Sequence, residues 1–222
     1  MKSWCIGTPS ARFVAKMEDV LAVYHRPYNP DRPVVCLDEC AKALHATPRG
    51  ALPPAPGAAR RQDYEYQRQG VCNLFCWVEP LAGRRRVCVT PHRTAVDFAE
   101  QLRCLVDEAY PQAERIVLVT DNLNTHHPAA LYERYPPAEA RRIAERLEWH
   151  YTPEHASWLN MVEIEISVLA RQCLARRISD LATLTREVAA WEATRNATQA
   201  TIDWQFTTAD ARVKLKRLYP QL

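Results

Sequence analysis

PVVCLDE, residues 33–39, is a short, nearly unbroken apolar run that closes on two acids. Runs of this kind, without polar alternation, belong to strands covered on both faces, as in the centre of α/β sheets. The stretch therefore predicts a buried strand over residues 33–38 that ends at the pair Asp38-Glu39. A second such run, IVLVT at residues 116–120, again ends on an acid, Asp121, and leads into the turn-like NLNTHHP. Between them, VCNLFCWV (71–78) and RVCVT (86–90), separated by EPLAGRR, read as a hairpin turning at Pro80 and Gly83. EWHY at 148–151 supplies a fifth, shorter strand.

Helical spacing fills the remainder. Residues 9–24 carry Phe13, Met17, Val20, Leu21 and Tyr24 on one face. Thr94 with Asp97 forms a capping-box signature for a helix with an apolar face of Val96, Phe98, Leu102, Leu105 and Val106, ended by Pro111. Further helices are expected up to about Arg146, from about Trp158 to Arg177, over 181–197, and from a cap at Thr207 or Thr208 to Tyr219. Residues 47–62 hold four Pro, two Gly and three Arg without periodicity and read as a loop. This order predicts an α/β domain with a mixed five-stranded sheet flanked by helices and a C-terminal helical extension. The expected division is 1–30 as N-terminal helix and linker, 31–180 as the main domain and 181–222 as helices packed on it.

Composition narrows the function classes. Of 222 residues, 47% are apolar and 25% charged, which excludes disorder as the main state. No window approaches 18 consecutive apolar residues, and MKSWCIGTPSARF lacks a signal-peptide core, so the expectation is a cytoplasmic protein without a membrane partner. Net charge is only +3, but Arg outnumbers Lys 24 to five, and Arg49–Arg93 holds eight Arg against three acids. That stretch reads equally as an anion-binding face or a solvated rim. The eight Cys show no C-x2-C pair and are expected to be buried free thiols. Trp77, Trp158, Trp191 and Trp204 are expected in the core.

Asp38 and Asp121 become neighbours if their strands are adjacent, and open α/β sheets place ligands at the carboxyl ends of strands. A helical carboxylate would then complete an oxygen cage for Mg²⁺ or Mn²⁺. Glu163 and Glu165 are the candidates. At 100° per residue they flank the apolar face Leu159, Val162, Ile166, Leu169 and Cys173 by similar angles on opposite sides; Glu163 shares its side with Asn160 and Ser167.

Six strings, VVCLDE, NLFCWVEPLAGRRRV, TAVDFAEQLRCLVDEAYP, IVLVTDNLNTHHP, HYTPEHASWLNMVEIEISVLARQC and TIDWQFTTADARVKLKRLYP, together resemble the catalytic half of bacterial insertion-sequence transposases related to the mariner group. The resemblance covers nearly the whole chain. It implies an RNase H-like fold of the retroviral-integrase superfamily and an Asp-Asp-Glu triad falling on Asp38, Asp121 and, through the Asn-x-x-Glu pattern from Asn160, Glu163. Glu165 is then a second-choice ligand or a surface acid. Implied with the triad are two Mg²⁺ or Mn²⁺ ions, cleavage at element ends by water, and attack of the freed 3′-OH on target DNA. The resemblance also implies that Glu39, Asn122, Asn124, His126 and Asn160 support the triad and that the partners are terminal inverted repeats and target DNA in a homodimer at the nucleoid. Arg60, Arg61, Arg84, Arg85 and Arg86 are candidate phosphate contacts, and His155 and Ser157, just before the Glu163 helix, are expected to contact DNA or to cap that helix.

Two departures accompany it. Full-length members carry N-terminal helix-turn-helix modules, and the roughly 30 residues before the first strand show none, so a truncated, split or excised form is expected. Ala156 stands where relatives are expected to carry Gly, which matters if that position needs positive φ. The competing expectations are a non-catalytic remnant that binds DNA or dimerises, and another RNase H-like nuclease.

Overall fold

A computed structural model of the chain describes residues 10–49, 51–59, 61–62 and 64–220. Helix α1 (Ala11–Tyr24) starts at Ser10, whose hydroxyl accepts the Phe13 N–H. It is followed by β1 (Val34–Ala46), a small ribbon of β2 (Ala51–Leu52) and β3 (Arg61–Gln62), and the hairpin β4 (Gln67–Glu79) and β5 (Arg84–Thr90). Next come α2 (Ala95–Cys104), with a π-helical last turn over Leu105–Ala109, β6 (Ile116–Thr120), α3 (Ala129–Arg134), α4 (Pro137–Glu145) and β7 (Leu147–Tyr151). A 3₁₀ turn at Ser157–Leu159 precedes α5 (Val162–Leu169) and its π-helical continuation Ala170–Leu174; α6 (Leu181–Ala197), α7 (Thr208–Lys214) and a 3₁₀ turn at Lys216–Leu218, in place of one helix running to Tyr219, complete the described chain. Among the described residues, no helix is long and apolar enough to cross a membrane.

The five-stranded sheet has the order β5-β4-β1-β6-β7, antiparallel from β5 to β1 and parallel from β1 to β7. Its central strands are unbroken apolar runs because both faces are covered. On one face, Cys36, Leu74, Cys76, Val78, Val117 and Val119 pack against α1, α5 and α6. On the other, Val35, Leu37, Phe75, Trp77, Ile116 and Leu118 pack against α2, α3 and α4. A smaller cluster of Met17, Leu21, Ala156, Leu159 and Ala211 joins α1 and α7 below the start of α5.

The structure departs from the sequence expectations where tertiary pairing overrides local signals. β1 does not end at Asp38-Glu39. Beyond Cys36 it runs past the end of β6 but stays paired with β4 as far as Ala46, so the acids lie in mid-strand. The helix expected up to Arg146 is two helices, divided where Tyr135 is extended and Pro136 precedes α4. The helix expected from Trp158 is interrupted because Asn160 adopts extended backbone. Val96 is exposed, and Ala99 and Gln101 are buried in its stead. The described cysteines are all free, as expected, four of them buried.

Arg85 is the largest departure. Within the strand Arg84-Arg85-Arg86, period-two alternation turns the middle side chain to the opposite face from its neighbours, and there it is completely buried against Glu165, also fully buried, at 3.1 Å. Arg195 of α6 binds the same carboxylate at 2.9 Å. Arg85 also donates to the carbonyls of Gly83, Arg195 and Ala200, while Asn196 exchanges hydrogen bonds with the Arg85 backbone. Neither Arg85 as a DNA contact nor Glu165 as a ligand or surface acid is compatible with this arrangement.

Gly83 closes the hairpin against that knot. Its φ is +66°, and an added Cβ would stand 2.5 Å from the Gln199 carbonyl. Gly83→Ala is therefore expected to cost roughly 2–4 kcal/mol through strain and overpacking, read as a lower urea midpoint. Glu165→Gln leaves the buried Arg85 charge without its carboxylate and is expected to cost about 3–5 kcal/mol in the same measurement.

Candidate active site

Parallel pairing brings the two strand acids together. Cys36 lies opposite Val119, so two residues further along each strand the register sets Asp38 beside Asp121, just where β6 stops. Asp38 is buried, accepts the Glu39 N–H at 2.9 Å and accepts from Asn160 Nδ2 at 3.4 Å. Burial first, and then the charge of Asp121, push its carboxyl up to about 7.

Asp121 is held differently. Its Oδ1 accepts the Leu123 N–H at 2.9 Å and meets His126 Nδ1 at 2.5 Å. His126 Nε2 in turn forms a 2.9 Å ion pair with Glu39, whose other oxygen pairs with Arg93 at 3.2 Å. The imidazole is buried and stacked on Phe98. Burial opposes its protonation, yet the hydrogen bonds and charges of Asp121 and Glu39 outweigh that and raise it to about 9. Burial likewise opposes the ionised form of Asp121, but the His126 and Leu123 hydrogen bonds win and lower its carboxyl below the ordinary value.

Glu163 comes from the first turn of α5. Its N–H donates to the Asn160 carbonyl at 3.1 Å, and burial together with the charges of Asp121 and Glu39 raises its carboxyl. Asn160 is itself fully buried, donating also to the Leu37 carbonyl at 3.1 Å. Four acids thus converge on one end of the β1/β6 pair, with His126 and Arg93 as the cations facing Glu39 and Asp121. Such mutually repelling oxygens suit a hard divalent cation. Asp38, Glu39 and His126 also offer ligand atoms within 4.8 Å of one another. Both His126 nitrogens are engaged by carboxylates, Nδ1 by Asp121 and Nε2 by Glu39.

The other expected site residues are distributed unevenly. Asn122 bridges Lys16 Nζ and the Thr152 carbonyl, fixing the turn after Asp121; Lys16 lay outside the sequence expectation because its spacing read only as a helix face. Asn124 is exposed. His155, at φ +60°, and Ser157 are exposed, and neither caps α5. The positive φ falls on His155 rather than on Ala156, whose φ is −125°, so Ala is unstrained there. Trp158 is 47% exposed and not core, its ring touching Phe206 edge-on. Arg61 is exposed, Arg84 lies over Tyr110, and Arg86 pairs with Glu108. Arg60 lies outside the described residues.

Comparison with solved structures places this arrangement in a known fold. The chain is similar to the Mos1 mariner paired-end complex with Mn (TM-score 0.54, 16% identity, covering 87% of this chain and 60% of that one). It is similar as well to the Mos1 strand transfer complex (0.57, 16%, 87% and 58%) and to a pre-cleavage Mos1 transpososome (0.51, 16%, 98% and 65%). The chain therefore spans about three fifths of the length of the first two. No curated protein matches it. The model of the DDE superfamily endonucleases matches residues 33–185, and the chain belongs to that family.

Proposed function

We propose that the chain is the catalytic domain of a DNA transposase, which cuts phosphodiester bonds at element ends and joins the freed 3′-OH to target DNA. The observation that carries this reading is the convergence of Asp38, Asp121 and Glu163 beside the end of β6, with Asp38 and Glu163 raised by burial and then by their neighbours' charge. Likeness of fold to the Mos1 assemblies supports DNA as the partner, and a homodimer on DNA is part of the proposal.

Asp38, Asp121 and Glu163 would hold two Mg²⁺ or Mn²⁺ ions. When bound, such ions neutralise charge on the phosphoryl oxygens and lower the pKa of water for in-line displacement. The chain's own residues do the rest. Protonated His126 presents one Asp121 oxygen and leaves the other free. Asn160 restrains the Asp38 carboxylate against β1. Arg61, His155 and Ser157 are exposed and available to DNA phosphates; Arg84 and Arg86 could join them only by sharing Glu79 and Glu108, and Asn124 is free to approach from the Asp121 turn. Such contacts position the duplex without reading its sequence.

Mn²⁺ calorimetry alongside cleavage of a labelled DNA end tests the reading. Asp121→Ala and Glu163→Gln are each expected to lower metal-dependent cleavage by more than about a hundredfold, with Mn²⁺ binding weakened in parallel. Binding unchanged by Asp121→Ala would refute the triad, and metal-independent DNA binding without turnover would identify a non-catalytic DNA-binding protein.

Metal-free stability follows from the same groups. An acid raised to about 7 stabilises the fold only while protonated, so the contribution of Asp38 is lost between about pH 4 and 7. A histidine raised from 6.5 to about 9 stabilises fully below 6.5 and loses its contribution, up to about 3 kcal/mol, as pH rises through 9. Thermal unfolding should decline across both windows, Asp38→Asn removing the first decline and His126→Gln the second.

A further inference from the structure

We propose that Tyr24, on α1 and outside the triad, is a positioning residue that sets the geometry of the Asp-Asp-Glu site through Asn160. The inference rests on the reading of that site as a metal-dependent DNA-cleaving centre.

The phenol oxygen of Tyr24 is buried where α1, β1 and the entry to α5 meet. It donates to the Leu159 carbonyl at 2.6 Å and accepts the Met161 N–H at 3.3 Å. One side-chain oxygen therefore grips the backbone on both sides of Asn160. It also accepts from the Cys36 thiol at 3.6 Å, two residues before Asp38 on the same face of β1. The ring is buttressed by Trp204, with centroids 5.2 Å apart.

What Tyr24 brackets is the residue on which two of the three acids depend. Asn160 is extended, with φ −86° and ψ 112°, between a 3₁₀ turn and a helix. Met161, at the cap position, makes no side-chain cap for that helix; Asn160 Oδ1 accepts the Val162 N–H at 3.4 Å, and the elbow's path rests on that bond and on the two from Tyr24. From this elbow the Asn160 side chain reaches Leu37 and Asp38, while its carbonyl receives the Glu163 N–H. A shift of the elbow moves the restraint on Asp38 and the first turn of α5 together. Tyr24 contacts neither acid, and its effect on both passes through Asn160.

Tyr24→Phe keeps the ring and removes only the hydroxyl. The experiment measures, for this variant, the Kd for Mn²⁺ by calorimetry without DNA and kcat and KM for a labelled DNA end, alone and in an Asn160→Ala background. Val23→Ala, a core truncation on the same helix, is the stability control. Expected are a folded Tyr24→Phe chain, a Kd raised and kcat lowered by about tenfold, an unchanged KM, and no further loss once Asn160 is gone. Val23→Ala should lower Tm while leaving the Mn²⁺ Kd alone. The proposal is overturned by wild-type Kd and kcat in Tyr24→Phe, by losses that multiply with Asn160→Ala, by an equal loss in Val23→Ala, or by a Tyr24→Phe chain that does not fold. If the wild type binds Mn²⁺ but cuts no DNA, the functional reading fails while the Kd comparison still decides the role of Tyr24. A wild type that binds no Mn²⁺ overturns both.

Discussion

Three residue pairs of parallel strand, Val34–Cys36 against Val117–Val119, set the terms for everything else in this protein. They bring two carboxylates side by side at the point where one strand stops and the other continues. Side-by-side carboxylates in a buried position repel one another and lose hydration, so the surroundings must compensate or one acid must hold its proton. Both occur. Asp121 is stabilised as an anion by His126, itself anchored by Glu39 and Arg93, whereas Asp38, buried beside the Asp121 charge and without an ion pair among the described residues, is the acid pushed up to about 7. This asymmetry leaves Asp38 and Glu163 as the groups with most to gain from a cation.

Helix α5 must then deliver Glu163 to the pair, and it is fixed at both flanks. Glu163 and Glu165 lie on opposite sides of its apolar face, one towards the acids and the other towards β5. The buried ion pairs of Glu165 with Arg85 and Arg195 oppose any rotation of α5 about its axis, since turning Glu163 away would pull Glu165 from its partners. The start of the helix is fixed separately, at Asn160. Rotation and entry angle are thus controlled by different residues.

The fold was largely legible in the residues because its cues are local. Unbroken Val and Ile runs marked the central strands, Pro80 and Gly83 the hairpin, and Thr94-Asp97 a capping box that the structure contains. Less legible was whatever depended on a remote partner. A helical wheel set Glu163 and Glu165 at similar angles to the apolar face and favoured Glu163 only by the polar strip of Asn160 and Ser167, because it carries no information about which strand lies under each flank. Arg84-Arg85-Arg86 looked like one basic patch, although alternation along a strand already separates the middle residue from the other two. Nothing local forecast that β1 would outrun β6, since its continuation is set by pairing with β4. Tyr24 read as one more apolar position on α1, and its hydroxyl acquires meaning only against Leu159 and Met161.

These tethers also bear on how large the working unit is. The family match ends at residue 185, yet Arg195 completes the Glu165 carboxylate's coordination, Asn196 clasps the Arg85 backbone and Trp204 backs Tyr24. Tyr24 itself precedes the match. Removing either flank would leave the strands of the sheet intact while exposing a buried charge at one side of α5 and a loose elbow at the other. Leaving a buried charge without its partner costs several kcal/mol, so the flanks are part of the structural unit and not appendages to it. The acids are supplied by the sheet and α5, but their alignment depends on residues that the triad pattern does not contain.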